Sequence, residues 1–371
     1  MNANARTVAR NFARRFADLI DPALVTTLGA LMLVGLATLY SAASDQPSHF
    51  TGQLRNFAFA GALMLGTAAI PPRLLLRAAV PVYAVGLLAL LAVLVAGVSV
   101  NGARRWLDLG FTRFQPAEIM KLGVPLVLAW YFQKRAESLR TADFLVAFAL
   151  VLVPVGLIAR QPDLGTALLV LAAGFYVIFF AGLPWRWLAA MAAAALAALP
   201  VVWMFLHDYQ RNRILTLLNP SSDPLGKGFH TLQSMIAIGS GGMFGKGWMQ
   251  GTQAHLEFIP ERTTDFIFAV YSEEFGLIGN LVLLALFSML VARALSIAQH
   301  AATPFGRLLA GSIAMILFTY AFVNMGMVSG ILPVVGVPLP LISYGGTALT
   351  TIGIACGMLM AIQRHRPLVQ S

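Results

Sequence analysis

RAAVPVYAVGLLALLAVLVAGVSV, residues 77–100, decides the architecture. It carries one charge, Arg77, at its first position, and everything after that is apolar or small apart from Tyr83 and Ser99. A helix that crosses a bilayer needs about 20 such residues, and this run supplies them without a break. Working outward, comparable runs lie at 22–42, 54–71, 115–132, 143–160, 163–182, 186–206, 265–292, 307–332 and 340–363. The spacing predicts an all-α polytopic membrane protein with about ten transmembrane helices. Charges or Gly-Pro clusters interrupt the runs at 115–132, 265–292 and 340–363. Composition agrees: of 371 residues, 58% are hydrophobic and 11% charged, and the mean hydropathy is +0.78. Soluble domains carry roughly 25% charged residues, which excludes that class. Disorder is excluded by the apolar content. Cys356 is the single cysteine, so neither an intramolecular disulfide nor a Cys-based metal site is available.

The formal net charge is +10. In a chain this apolar, basic residues set orientation against anionic lipid or bind an anionic lipid-linked substrate, and no nucleic acid is expected. Arg6, Arg10, Arg14 and Arg15 make a basic amino terminus within residues 1–21. Placing it in the cytoplasm puts Arg73, Arg77, Lys134, Arg135, Arg140, Arg186, Arg293, Arg307, Arg364 and Arg366 on the same side. That is the positive-inside distribution, with both termini, the second being 364–371, cytoplasmic. The first apolar run is too long for the core of a secretory signal. The cytoplasmic connections are short and no Walker or Rossmann pattern occurs. No organic cofactor is expected, and the chain reads as a single membrane domain over 1–371.

The unusual chemistry falls on the outer face. One segment runs from Asn101 through Arg104, Arg105 and Trp106 to Gln115, Glu118 and Lys121. The other, 206–264, is a large extracytoplasmic loop between the seventh and eighth helices. It contains His207-Asp-Tyr-Gln-Arg, Asp223-Pro-Leu-Gly, Gly239-Ser-Gly-Gly and Gly245-Lys-Gly-Trp. Loops this long are functional or disordered as a rule. Its aromatics and turn-spaced glycines argue for a folded cap over a passive connector.

Ionisable side chains at membrane depth are costly and mark function or structural pairing. Glu118 and Lys121 share one helix face; they either neutralise each other or position a phosphate. Asp163, after Gln161-Pro162, is a helix N-cap or a site residue at the rim. Asp265, flanked by Arg262, is a helix cap or a general base at the water–membrane boundary. At 100° per residue, Glu273 lies about 80° from Asp265 and Glu274 nearly opposite, so at most one of them lines the same groove. Arg104 and Arg105 are surface anchors or, against the positive-inside bias, ligands for an anion. A diphosphate matches bidentate arginine. The six histidines show no zinc spacing, and no serine-hydrolase elbow is present. Carboxylates beside a diphosphate could share Mg²⁺ or Mn²⁺. Between Asn324 and Gly346 stand three prolines and five glycines. Backbone broken in this way is tolerated in a membrane only against protein or a water-filled cavity. It is a tight re-entrant hairpin or a substrate wall opposite Asp265.

These residues together resemble the SEDS family (shape, elongation, division and sporulation proteins), over about residues 20–365. Gly102-Ala-Arg-Arg-Trp-Leu, Phe114-Gln-Pro-Ala-Glu-Ile, Gln161-Pro-Asp-Leu-Gly-Thr, Glu261-Arg-Thr-Thr-Asp-Phe-Ile-Phe-Ala and Leu332-Pro-Val-Val-Gly-Val-Pro-Leu-Pro-Leu-Ile-Ser-Tyr-Gly-Gly carry the resemblance by order and spacing. The Val335-Gly336-Val337 triplet looks like the family's rod-shape branch. The resemblance implies a multi-pass protein of the bacterial inner membrane, with its active site facing the periplasm, that polymerises lipid II. It implies release of undecaprenyl diphosphate, and work beside a class B penicillin-binding protein and other elongation-complex proteins. It matches Asp265 to the family's essential aspartate. It matches Arg105, Glu118, Lys121 and Asp163 to substrate-binding positions, with Gln115 and Arg262 beside them. Two other classes explain part of the pattern. A lipid II flippase accounts for the buried charges and broken helices, although no inverted repeat is visible. A membrane scaffold accounts for the spans but not for the charged cluster.

Overall fold

The computed structural model describes residues 19–100, 103–108, 110, 113–205, 211, 215, 227–255 and 261–365. The basic amino terminus, His207–Gln210, Asp223 and Arg366 lie outside them. Among the described residues the chain forms ten long helices: α1 Pro22–Ala42, α2 Pro47–Ala68, α3 Pro72–Ala96, α4 Pro116–Arg135, α5 Thr141–Ala159, α6 Leu164–Phe180, α7 Trp185–Phe205, α10 Ile267–Gln299, α11 Pro304–Val328 and α12 Gly346–Arg364. Two further helices, α8 Lys227–Gly241 and α9 Thr252–His255, belong to the long loop. Proline stands in the first turn of α1, α2, α3, α4 and α11, where its missing N–H has no intrahelical partner to lose. Asp21, Asp163 and Thr303 cap helices through their side chains.

By length and composition six helices, α1, α3, α5, α10, α11 and α12, can each cross a membrane, and α6 and residues 185–200 of α7 are shorter apolar helices. The chain is a polytopic membrane protein. α2 and α4 miss that mark because they carry His49, Gln53, Arg55 and Asn56, or Glu118, Lys121 and the basic last turn. Those polar residues face the interior or the ends of the bundle. α11 and α12 are the most enclosed of the six. α12 packs along α2, where Gly353 and Gly357 bring it against the Ala60 and Met64 carbonyls. Small residues four apart permit that approach between helices in lipid.

The all-α expectation needs one amendment. Val98–Val100 (β1), Ala103–Asp108 (β2) and Arg113–Phe114 (β3) form an antiparallel sheet in the order β1-β2-β3 between α3 and α4. Strand alternation sends successive side chains to opposite faces. Arg104 therefore turns back on α3, donating to Gly97 O at 2.6 Å and Val95 O at 2.7 Å, and ties down carbonyls at that helix end. Arg105 turns the other way.

The eighth long run is not one continuous helix. Inside α10, Gly276 has φ 63° and ψ −161°, a region open essentially to glycine alone. The four backbone groups freed by the break are taken up by the long loop. Lys246 N donates to Glu273 O and Gly247 N to Glu274 O, both at 3.0 Å; Leu277 N donates to Gly242 O at 2.9 Å and Ile278 N to Met243 O at 3.1 Å. Unsatisfied backbone within a bilayer costs several kcal/mol per group, so the loop completes this helix. Both neighbouring carboxylates serve the same joint. Glu273 binds Lys246 Nζ at 2.6 Å and accepts from Thr252 N at 2.9 Å. Glu274 accepts from Ser41 Oγ, and from Met249 N at 3.2 Å. At most one of the pair is expected from the sequence to line a groove with Asp265; both instead bond the inserted loop. A Cβ on Gly276 would sit 2.3 Å from Gly245 N. Gly276→Ala is therefore expected to destabilise the fold by roughly 3 kcal/mol or more. Thermal unfolding in detergent checks it; a melting temperature equal to wild type would mean that the joint relaxes freely.

Candidate active site

The residues singled out by sequence gather at one end of the bundle, where α4, α6 and α10 begin. Asp163 caps α6, accepting from Thr166 N at 3.1 Å. Its other oxygen accepts from Gln115 Nε2 at 2.8 Å and faces Arg105 Nη1 at 3.6 Å. Asp163 thus caps α6 with one oxygen and holds Gln115 and Arg105 with the other. Gln115 is positioned by the turn into α4, and Arg105 by the face of β2 opposite Arg104. Arg105 Nε and Trp106 Nε1 are buried donors with no acceptor among the described residues. Buried donors without partners are rare in folded chains. By the same strand alternation the two stand on opposite faces of β2, and the Arg105 Nε, on the side of Asp163, suits an acceptor brought by a ligand.

One turn into α4, Glu118 and Lys121 do pair, at 2.6 Å. The pair is closed on both sides. Lys121 Nζ also donates to the Tyr320 hydroxyl at 2.7 Å, and Thr351 Oγ1 donates to Glu118 Oε2 at 2.8 Å. Lys121 is only 4% exposed. Neither Tyr320 nor Thr351 stands out in the sequence, since each is an uncharged hydroxyl in a largely apolar stretch. Their role comes from α11 and α12 packing on α4.

Asp265 ends the turn Glu261–Phe266 that leads into α10. The cap position of α10 is Phe266, which makes no side-chain cap bond. Arg262 reaches across to Asp45, between α1 and α2, at 2.6 Å. The Asp265 carboxylate lies against Gly336, whose φ is 74°; a Cβ there would stand 3.2 Å from Asp265 Oδ2. Within the segment 329–345, Gly336 thus stands against Asp265, and the segment is called the wall below. The same wall meets α6, since Val335 O lies 2.8 Å from where a Cβ on Gly165 would be. Tyr320, the partner of Lys121, packs with Val335 and Val337. The acid Asp265, the Arg105–Asp163–Gln115 group and the Glu118–Lys121 pair accordingly surround the stretch Val335–Val337. Among the described residues no three His, Cys, Asp or Glu side chains gather as a metal cage.

Comparison with known proteins gives the family. Residues 18–368 match the FtsW/RodA/SpoVE family, described as cell cycle proteins. The chain is 47% identical over 351 residues to the peptidoglycan glycosyltransferase MrdB of Escherichia coli, covering 94% of this chain and 95% of that protein. It is similar to a chain in a solved structure described as structural coordination of polymerization and crosslinking by a peptidoglycan synthase complex, with TM-score 0.82, 38% identity, and 94% and 99% of the two chains covered. The Thermus thermophilus rod-shape-determining protein RodA superposes with TM-score 0.71 at 33% identity, over 93% and 97%. The chain belongs to the FtsW/RodA/SpoVE family of cell cycle proteins, the SEDS family whose motifs its sequence carries.

Proposed function

We propose that the chain is a peptidoglycan glycosyltransferase that polymerises lipid II into glycan strands during cell elongation and releases undecaprenyl diphosphate. The observation that carries the reading is that Val335–Gly336 meets both the Asp265 carboxylate and, at Gly165, the start of the helix capped by Asp163, the partner of Arg105, whose Nε has no acceptor among the described residues. A base and an anion-binding pocket at one end of a membrane bundle are what transfer from a lipid diphosphate requires.

In this mechanism Asp265 accepts the proton of the acceptor's sugar hydroxyl as that oxygen attacks the anomeric carbon of the lipid-linked donor strand. The bond from that carbon to the diphosphate breaks, and undecaprenyl diphosphate carries the electron pair away. Single displacement turns an α-linked donor into a β-linked product. Arg105, held by Asp163, offsets the charge that develops on the leaving diphosphate. Gln115 holds Asp163 in turn, and Arg262 fixes the Asp265 turn against Asp45. Lys121 contributes its charge from within a closed pair, at the base of the same wall. Mg²⁺ ordinarily takes one or two carboxylates, substrate phosphates and waters in place of a protein cage. Asp265 and the donor diphosphate supply that set, and Mg²⁺ or Mn²⁺ bound there would neutralise phosphate charge.

The lysine and arginine distribution supports ten membrane spans with both termini in the cytoplasm, and hence a site on the periplasmic side of the bacterial inner membrane. The synthase-complex neighbour supports a class B penicillin-binding protein as partner, with other elongation-complex proteins around the pair. The broken backbone at 329–345 also suits lipid II translocation, the second reading. The test is a glycan gel. The purified chain and its partner are mixed with lipid II and Mg²⁺ or Mn²⁺, with transpeptidation blocked by a β-lactam. A ladder of products supports the polymerase. A folded, partner-bound complex that yields none sinks it and turns attention to lipid II movement in vesicles.

A further inference from the structure

We propose that Asn324 is a positioning residue for Asp265, which sets the carboxylate against the Val335–Val337 wall; this rests on Asp265 being the base. Three consecutive carbonyls before α10 are gripped from the carboxy-terminal part of the chain. Thr263 O accepts from Tyr344 N at 2.8 Å, Thr264 O from Ser343 Oγ at 2.7 Å, and Asp265 O from Asn324 Nδ2 at 2.9 Å. Ser343 and Tyr344 belong to the wall themselves; Asn324 reaches it from α11, giving its second amide hydrogen to Val337 O at 2.7 Å. One NH₂ group thus ties the main chain of Asp265 to the residue after Gly336, and Gly336 is where the Asp265 carboxylate rests.

The amide's orientation is dictated by this task. Both neighbours are carbonyls, so the nitrogen must face them. Asn324 is fully buried, and its Oδ1 meets no donor among the described residues. A buried acceptor left without a donor is unfavourable, and such groups are retained where they serve something other than stability. Ser312, on the same helix, shows the contrast. It too is fully buried, and it ties α11 to α6 through Ala173 O at 2.8 Å, a bond that does not involve the Asp265 turn.

The position matters because Asp265 precedes α10 and lies outside its regular hydrogen-bond ladder. A displacement of the base by about 1 Å costs on the order of a hundredfold in rate. In the purified full chain with its partner, Asn324→Leu is expected to lower kcat for lipid II polymerisation about 10- to 100-fold with little change in KM. Ser312→Ala lowers the melting temperature and leaves kcat per folded molecule unchanged. Should Asn324→Leu fail to fold, Asn324→Ser keeps a short donor that cannot span both carbonyls, and the same loss of kcat is expected from it. Wild-type kcat per folded molecule in either Asn324 variant overturns the proposal, as does a loss that tracks the folded fraction alone. Normal polymerisation by Asp265→Asn removes the base assignment itself. An inactive Asp265→Asn beside fully active Asn324 variants removes only the positioning role.

Discussion

Asp265→Asn is expected to abolish the glycan ladder, with a fall in rate of roughly 10²–10⁴. The substitution keeps the shape that rests on Gly336 and leaves the backbone bond from Asn324 in place. It removes only the ability to accept a proton. General bases supply about that factor in proton transfer from a hydroxyl, so the loss comes through kcat, with lipid II binding nearly intact. The measurement is initial rate against lipid II concentration in the partner-bound complex. A variant that polymerises at the wild-type rate would move the base elsewhere while leaving the polymerase reading in place. A variant that loses affinity and keeps its turnover would make Asp265 a binding group.

Lys121→Met should be the most destructive change to the fold. It strips Glu118 of its 2.6 Å partner in an enclosed site, and breaking a buried pair by removing one member costs roughly 3–5 kcal/mol. The Tyr320 hydroxyl loses its donor as well. Replacing both members, as Glu118→Gln with Lys121→Met, leaves no uncompensated charge and should recover most of that stability. Melting temperatures of the two single variants and the double variant decide it. Additive losses would mean that the two side chains do not work as a pair. The double variant also separates two roles that the sequence left open. If it folds and polymerises, the pair is architectural. If it folds and is inactive, the charge at Lys121 serves the reaction.

The long apolar runs were legible because each is a local property. The run at 22–42 is α1, those at 143–160 and 163–182 differ from α5 and α6 by a residue or two at each end, and the one at 186–206 is α7 shifted by one. The run at 340–363 begins too early, since a turn over residues 340–343, bonded back to Leu339 O, comes before Gly346 starts α12. Site residues were legible where charge stood at membrane depth, as with Glu118, Lys121, Asp163 and Asp265. What escaped depends on partners distant in sequence. Gly276 sits in an apolar run with a helical appearance, and only the loop residues Gly242–Gly247 make its conformation affordable. Arg104 and Arg105 read alike until the strand alternation of β2 divides them. Asn324 reads as the edge of a Gly-Pro motif, and Tyr320 and Thr351 as uncharged hydroxyls; their partners come from α4, α10 and the wall. The sheet at 98–114 was missed because its strands are short and carry the charges Arg104, Arg105, Asp108 and Arg113.

The joint at Gly276 bears on how this chain can be recombined. A membrane helix is ordinarily a cassette: it can be exchanged between relatives at its loop boundaries, because its backbone is self-contained. α10 is not such a cassette. Four backbone groups between residues 273 and 278 are completed by residues 242–247, so a chimera that takes the helix from one relative and the preceding loop from another splits a single structural unit. Crossovers belong before α8 or after Gln299, with Ser41 of α1 carried along as the partner of Glu274. The outer loop and the helix it enters are inherited as one piece.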